Sequence, residues 1–180
     1  GLNGWLTSMS GSSAVILGLI LGGMMAVDMG GPVNKAAYVF GTGTLAATIT
    51  SGGSAAMAAV MAGGMVPPLA IALATTIFKN KFTEEEKEAG LTNYVMGLSF
   101  ITEGAIPYAA ADPTRVIPAN VVGSAVAGAL TMLFGIKIPA PHGGILVMFL
   151  SNNFIMYFIA ILIVSVVSAL LLGKKKKKVA

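Results

Sequence analysis

The sequence predicts an all-α, polytopic membrane protein in which transmembrane helices alternate with re-entrant hairpins. Three observations carry that prediction. Of its 180 residues, 56% are hydrophobic and only 10% charged, with a mean hydropathy of +0.86. A soluble domain carries about 25% charged residues to face water, so most of this surface must face lipid. The chain also holds 23 glycines, and small residues let helix backbones approach closely in a bilayer. Finally, its apolar stretches are broken repeatedly by glycine, proline and polar clusters. Irregular backbone is tolerated at membrane depth only where it is buried in protein or lines a polar cavity.

Composition removes several function classes. No cysteine is present, so disulfides, thiolate metal sites and sulfur chemistry are excluded on this chain. Five of the eleven basic residues form the run Lys174 to Lys178 beside an apolar span. The net charge of +4 therefore reads as a membrane-orientation signal, and no nucleic-acid partner is expected. Residue 1 is glycine and no basic segment precedes a cleavable apolar stretch, so no signal peptide is expected and the start resembles a cut end.

Each element follows in order. Trp5 to Val27 is apolar, with its densest part, Ala14 to Val27, shorter than the ~20 residues a helix needs to cross alone. Trp5 suits the membrane interface, and Gly18 and Gly22 form a possible G-x-x-x-G contact face. Asp28 to Lys35 (DMGGPVNK) has the composition of a turn. That turn is either an exposed loop with an Asp–Lys pair or re-entrant at membrane depth. Ala36 to Thr50 reads as the return limb of a hairpin, and Ser51 to Ser54 as a link. Ala55 to Phe78 is long enough to cross, and Pro67 and Pro68 predict a kink unless neighbours compensate. Lys79 to Gly90 is the main water-exposed, charged loop, in which Thr83 and Glu86 fit a capping box opening a short helix. Glu84, Glu85, Glu86 and Glu88 read as a hydrated face.

Leu91 to Ala111 carries Asn93, Thr102, Glu103, Gly104 and Pro107 within an apolar segment and is expected to be a broken span. Asp112 to Arg115 closes it with a turn. Val116 to Ile136 and Phe154 to Leu172 are the next crossings, separated by the break Lys137 to Gly144, which holds the only histidine, and by Ser151 to Asn153. Positive charge places both the 79–90 loop and the 174–180 tail in the cytoplasm. Two crossings lie between them, so Leu91 to Ala111 must enter and leave on the same side.

The candidate site residues are the polar groups at these breaks: Asp28, Asn34 and Lys35; Thr102 and Glu103; and His142. A lone carboxylate such as Glu103 inside an apolar segment costs on the order of 3 kcal/mol at a bilayer centre, which argues for a task. His142 is either a loop residue or a ligand. Acceptors, donors and amides together suit a polyol or sugar, whereas an ion site would call for more oxygen ligands. No Walker A loop, H-E-x-x-H, Cys/His spacing or nucleophile elbow occurs, and Gly41-Thr-Gly43-Thr is too short for a dinucleotide fingerprint. No metal or cofactor is expected.

Asp28-Met-Gly-Gly-Pro-Val-Asn-Lys-Ala-Ala-Tyr38, Phe100-Ile-Thr-Glu-Gly-Ala-Ile-Pro107, Ala111-Asp-Pro-Thr-Arg-Val-Ile-Pro118 and Ala140-Pro-His-Gly-Gly144 closely resemble the fructose-type enzyme II C component of the bacterial sugar phosphotransferase system. The Ile-Thr-Glu-Gly segment also resembles the Ile-Thr-Glu-Pro loop of glucose permeases. The resemblance implies an elevator-type, homodimeric, multi-pass permease of the bacterial inner membrane that takes up fructose or a related hexose. A B component would phosphorylate the sugar from a phosphocysteine. It implies that Glu103 binds sugar hydroxyls and is a candidate general base, and that His142 is a sugar or gating contact. Asn34, Lys35, Thr102 and Asp28 are further candidates for substrate binding. The chain would be the C-terminal half of such a permease, without the N-terminal scaffold that forms the dimer and without a complete catalytic apparatus. Two other readings remain: a proton-coupled secondary transporter using Glu103 and Asp28, and a structural membrane module with Glu103 satisfied inside it.

Overall fold

A computed structural model describes residues 13–176. Trp5 and the last residues of the basic tail lie outside them. The described residues are helical, with no strand beyond one isolated bridge between Ser54 and Ile138. Seven helices carry the fold: α1 (Ala14–Val27), α2 (Pro32–Gly43), α3 (Ala55–Ile77), α4 (Glu84–Leu98), α5 (Ile106–Ala111), α6 (Pro113–Leu133) and α7 (Phe154–Lys175). Single turns at Leu45–Thr48 and Ile145–Met148 lie in the links. Three of the helices, α3, α6 and α7, are long and apolar enough to cross a membrane.

The central helix is α3, of which 94% of the apolar window is buried. Alanine, glycine and methionine fill more than half of it, so neighbours pack close on every side. The Gly18/Gly22 face of α1 packs on Gly128 and Ser124 of α6, and Gly63 of α3 lies against the Gly22 backbone. A β-carbon at Gly63 would sit 2.6 Å from the Gly22 α-carbon. The G-x-x-x-G motif is thus a packing face, as its spacing suggested.

The chain forms two hairpins that point at each other. In the second, α4 starts at Thr83, whose hydroxyl accepts from Glu86 N at 3.1 Å while Glu86 Oε1 accepts from Thr83 N at 2.9 Å. This capping box opens a helix that runs on to Leu98. The helix is longer than the sequence predicted, because Gly90 fits against Thr75 and does not stop it. After the break, α5 returns to the same end. There the Tyr108 hydroxyl donates to Glu86 O at 2.6 Å, Tyr108 meets Phe82 edge-on, and Asp112 pairs with Arg115 at 3.1 Å and Lys176 at 3.5 Å. The first hairpin, α1 and α2, comes from the other end, where Gly41 lies against Met57 and Val60 and Thr44 bonds to Ser54.

Two local expectations change. Asp28 to Lys35 is a turn only to Gly31, because Pro32 at the first helical position starts α2 and puts Asn34 and Lys35 on a helix. No Asp28–Lys35 pair forms among the described residues. The α6 crossing begins at Pro113 rather than Val116, for the same reason. The α3 helix is continuous through Pro67 and Pro68, and one of the two carbonyls they free finds its partner in the site.

Candidate functional site

The tips of the two hairpins meet beside the middle of α3. The contact level on α3 is Gly64, about 14 Å from the start of the helix and about 20 Å from its end at 1.5 Å per residue. A cavity of about 180 Å³ opens there. The first hairpin lines it with Met25, Gly30, Asn34, Lys35 and Tyr38; the second with Phe100, Thr102 and Glu103; and the 134–153 link contributes His142.

The first tip is built by Asp28. Its Oδ2 accepts from Val33 N at 2.8 Å and its Oδ1 from Asn34 N at 2.9 Å, so the carboxylate satisfies the free N–H groups at the start of α2. The turn passes through Met29 and Gly30 with φ of 45° and 105°. Gly30 is required by space as well, because a β-carbon there would stand 2.9 Å from Glu103 Oε1. Asn34 is buried and its Nδ2 donates to Met25 O at 3.0 Å, tying α2 to the last turn of α1. That fixes the amide and leaves Oδ1 as the acceptor at the cavity. Tyr38 stands one turn on from Asn34 and Lys35, at i+4 from the first and i+3 from the second, and all three line the cavity.

The second tip is a strained reversal. Phe100 has φ of 65°, rare for a bulky residue. The reversal turns its ring inward to 4% exposure, 6.2 Å from Tyr38 and 5.0 Å from His142 between ring centroids. His142 is held over that ring by the two glycines that follow it. Gly143 and Gly144 have φ of 122° and 57°, and a β-carbon on Gly144 would collide with Leu98 O. The Pro-His-Gly-Gly motif is thus a docking device in which bare backbone seats one loop on another.

The Glu103 side chain has no hydrogen-bond or ion-pair partner among the described residues, and neither has the Lys35 side chain; the His142 ring has only its contact with Phe100. The protein therefore leaves a carboxylate, an ammonium and an imidazole around one cavity, with an amide oxygen and two aromatic faces beside them. Such a set offers both hydrogen-bond donors and acceptors to a compact polar molecule. Thr102 also lines the cavity, but it is 2% exposed and its hydroxyl donates to Gly64 O at 2.8 Å. Asp28 lies across the turn, in a different cavity with Ile106, Ala109 and Ile117. The structure thus brings Asn34, Lys35, Thr102, Glu103 and His142 together and leaves Asp28 to shape the tip. Sequence reasoning did not single out Tyr38 and Phe100 as lining residues. Their signal was their place at the ends of the quoted motifs.

Comparison with known proteins gives a consistent result. The chain is 59% identical over 178 residues to the "PTS system fructose-specific EIIABC component" of Bacillus subtilis, covering 99% of this chain and 27% of that protein. It is 56% identical to the "Fructose permease IIC component" of Bacillus amyloliquefaciens, covering 99% of this chain and 57% of that protein. It is 54% identical to the "PTS system fructose-specific EIIC component" of Haloferax volcanii, over 95% of this chain and 45% of that protein. The chain therefore spans between about a quarter and rather more than half of these relatives. No family model and no solved structure matches it. The resemblance to fructose-type enzyme II C components read from the motifs holds over nearly the whole chain.

Proposed function

We propose that this chain, similar over nearly its whole length to fructose-type C components, is the sugar-binding and sugar-moving part of a phosphotransferase permease for fructose or a related hexose. The observation that carries the proposal is the meeting of two opposed hairpin tips at mid-span around an unpartnered Glu103. Transporters place solute sites at such discontinuities, where half-helix ends and broken backbone replace the water a polar solute loses. Asn34 Oδ1 and Glu103 accept from sugar hydroxyls, Lys35 and His142 supply donors, and the Phe100 and Tyr38 rings cover the apolar face of the sugar.

In the chemical step, a sugar hydroxyl attacks the phosphorus of a phosphocysteine on the B component. The new O–P bond forms as the S–P bond breaks, the thiolate leaves with the electron pair, and Glu103 takes the hydroxyl proton. The cysteine-free chain supplies the acceptor side of that reaction. The B donor comes from elsewhere, and relatives named as EIIABC and EIIB'BC components carry B parts in their names. The lysines at 79, 81, 87 and 174–178 support a cytoplasmic base for the Glu103 hairpin, on the side of the phosphocarrier. Dimerisation through a scaffold and an elevator movement of this part in the lipid bilayer complete the proposal.

The test is phosphoenolpyruvate-dependent phosphorylation of fructose by membranes holding the intact permease and its B component. Glu103→Gln should lower the rate by about 10²- to 10⁴-fold, the range of a lost general base. Uptake that continued without phosphocarriers and collapsed with the proton gradient would replace this reading with a proton-coupled transporter. Full activity of Glu103→Gln would reduce the carboxylate to a structural group.

A further inference from the structure

We infer that Thr102 is a positioning residue that seats the Glu103 loop on α3 by replacing the backbone donor which Pro68 lacks. The inference rests on the functional reading above. In an α-helix the N–H of residue 68 would bond to the carbonyl of residue 64, and proline has no N–H. The orphan acceptor is Gly64 O, and it receives the Thr102 hydroxyl at 2.8 Å. Both groups are buried, and Gly64 has no side chain, so the Phe100 ring and the Thr102 hydroxyl lie directly on the helix backbone. Any β-carbon at 64 would run into the Phe100 ring. The four residues Gly64, Pro68, Phe100 and Thr102 therefore form one joint. The proline opens an acceptor, the glycine opens space, the left-handed Phe100 fills the space, and the threonine fills the acceptor.

The joint supplies one of the two donors that the prolines remove from α3, at the level of the site. It also fixes Glu103, since the residue beside it in the chain is bonded to the most deeply buried helix of the structure. Without that bond the tip keeps its packing contacts but loses its hydrogen bond to the α3 backbone. A general base must stand within hydrogen-bond reach of its proton, and a misplacement of about 1 Å costs on the order of 10²-fold in rate. Thr102 thus acts on the sugar chemistry through Glu103 and not by contact.

The experiment compares Thr102→Val, Thr102→Ser, Pro68→Ala and the double variant Thr102→Val/Pro68→Ala in the intact permease, by kcat and KM for fructose phosphorylation. Thr102→Val should lower kcat by about tenfold or more, with KM within about twofold, and Thr102→Ser should restore most of kcat, because the hydroxyl is what matters. Pro68→Ala returns an N–H to Gly64 O, so in that background Thr102→Val should cost less than about threefold. An equal loss in both backgrounds, or a loss that appears in KM, would make Thr102 a direct sugar contact and overturn the inference. So would an unaffected Thr102→Val. If Pro68→Ala does not insert, the kcat against KM split of the valine and serine variants still decides. Glu103→Gln in the same membranes separates the two claims: its full activity would sink the functional reading, whereas its loss beside a fully active Thr102→Val would sink only this one.

Discussion

A glycine-to-alanine series separates the backbone and spatial roles that the site assigns to its loops. Gly43 ends α2 with ordinary dihedrals, and a β-carbon there would meet nothing within 4 Å. Alanine there should be neutral or stabilising by up to about 1 kcal/mol. Gly52 is as open but has φ of 99°, so alanine should cost about 1–3 kcal/mol of backbone strain and nothing more. Gly144 combines φ of 57° and ψ of −125° with a β-carbon placed on Leu98 O. It carries the same strain and must also push the 98–100 backbone away, moving Phe100 and His142 apart. The combined loss should exceed that at Gly52 by at least about 1–3 kcal/mol, the cost of forced overpacking. The assay is the thermal midpoint of the detergent-solubilised permease together with fructose phosphorylation. Stability should fall in the order Gly43, Gly52, Gly144, and Gly144→Ala alone should lose activity at temperatures where the protein is still folded. A Gly144→Ala protein with the stability and activity of Gly52→Ala would refute the docking of these loops.

Three further outcomes follow from the same geometry. Gly30→Ala, which combines φ of 105° with a β-carbon 2.9 Å from Glu103 Oε1, should lower phosphorylation by about tenfold or more through displacement of the carboxylate, measurable as a fall in kcat. Tyr108→Phe removes the bond to Glu86 O at the hairpin base and should cost about 0.5–1.5 kcal/mol of stability with little change in KM, read as a lower thermal midpoint. Asp28→Asn keeps both acceptor positions only in part and removes the negative charge at the start of α2, so it should destabilise by about 0.5–2 kcal/mol and leave KM for fructose nearly unchanged. A selective rise in KM would return Asp28 to the sugar.

How much of this was legible in the sequence depended on how local each cause was. The capping box at Thr83 and Glu86 is contained in four residues, and it forms as written. The Gly18/Gly22 face needs only helical spacing, and it packs as spacing suggests. The re-entrant course of Leu91 to Ala111 came from charge bias and from breakers within the segment, and α4 and α5 do turn back to one end. The position of a helix start was less legible, because Pro32 and Pro113 open helices inside stretches whose composition reads as turn. Asn34 and Lys35 stand out in the sequence as turn residues, and they reach the cavity from a helix face instead.

The proline pair shows what a linear reading could not supply. Taken along the chain, Pro67 and Pro68 remove two donors from α3, and a kink is the local expectation. A donor for one of the two freed carbonyls, Gly64 O, is remote in the chain, on the hydroxyl of Thr102, a residue whose motif points to the substrate. Neither residue carries a mark that names the other. What links them is that an unfilled carbonyl in a buried helix must find a partner, and the Glu103 loop has one at its tip. The breakers of α3 and the broken span at 91–111 are therefore two halves of one feature. A helix defect at mid-span is stable here because a hairpin tip completes it, and the tip stands at mid-span because the defect is there to receive it.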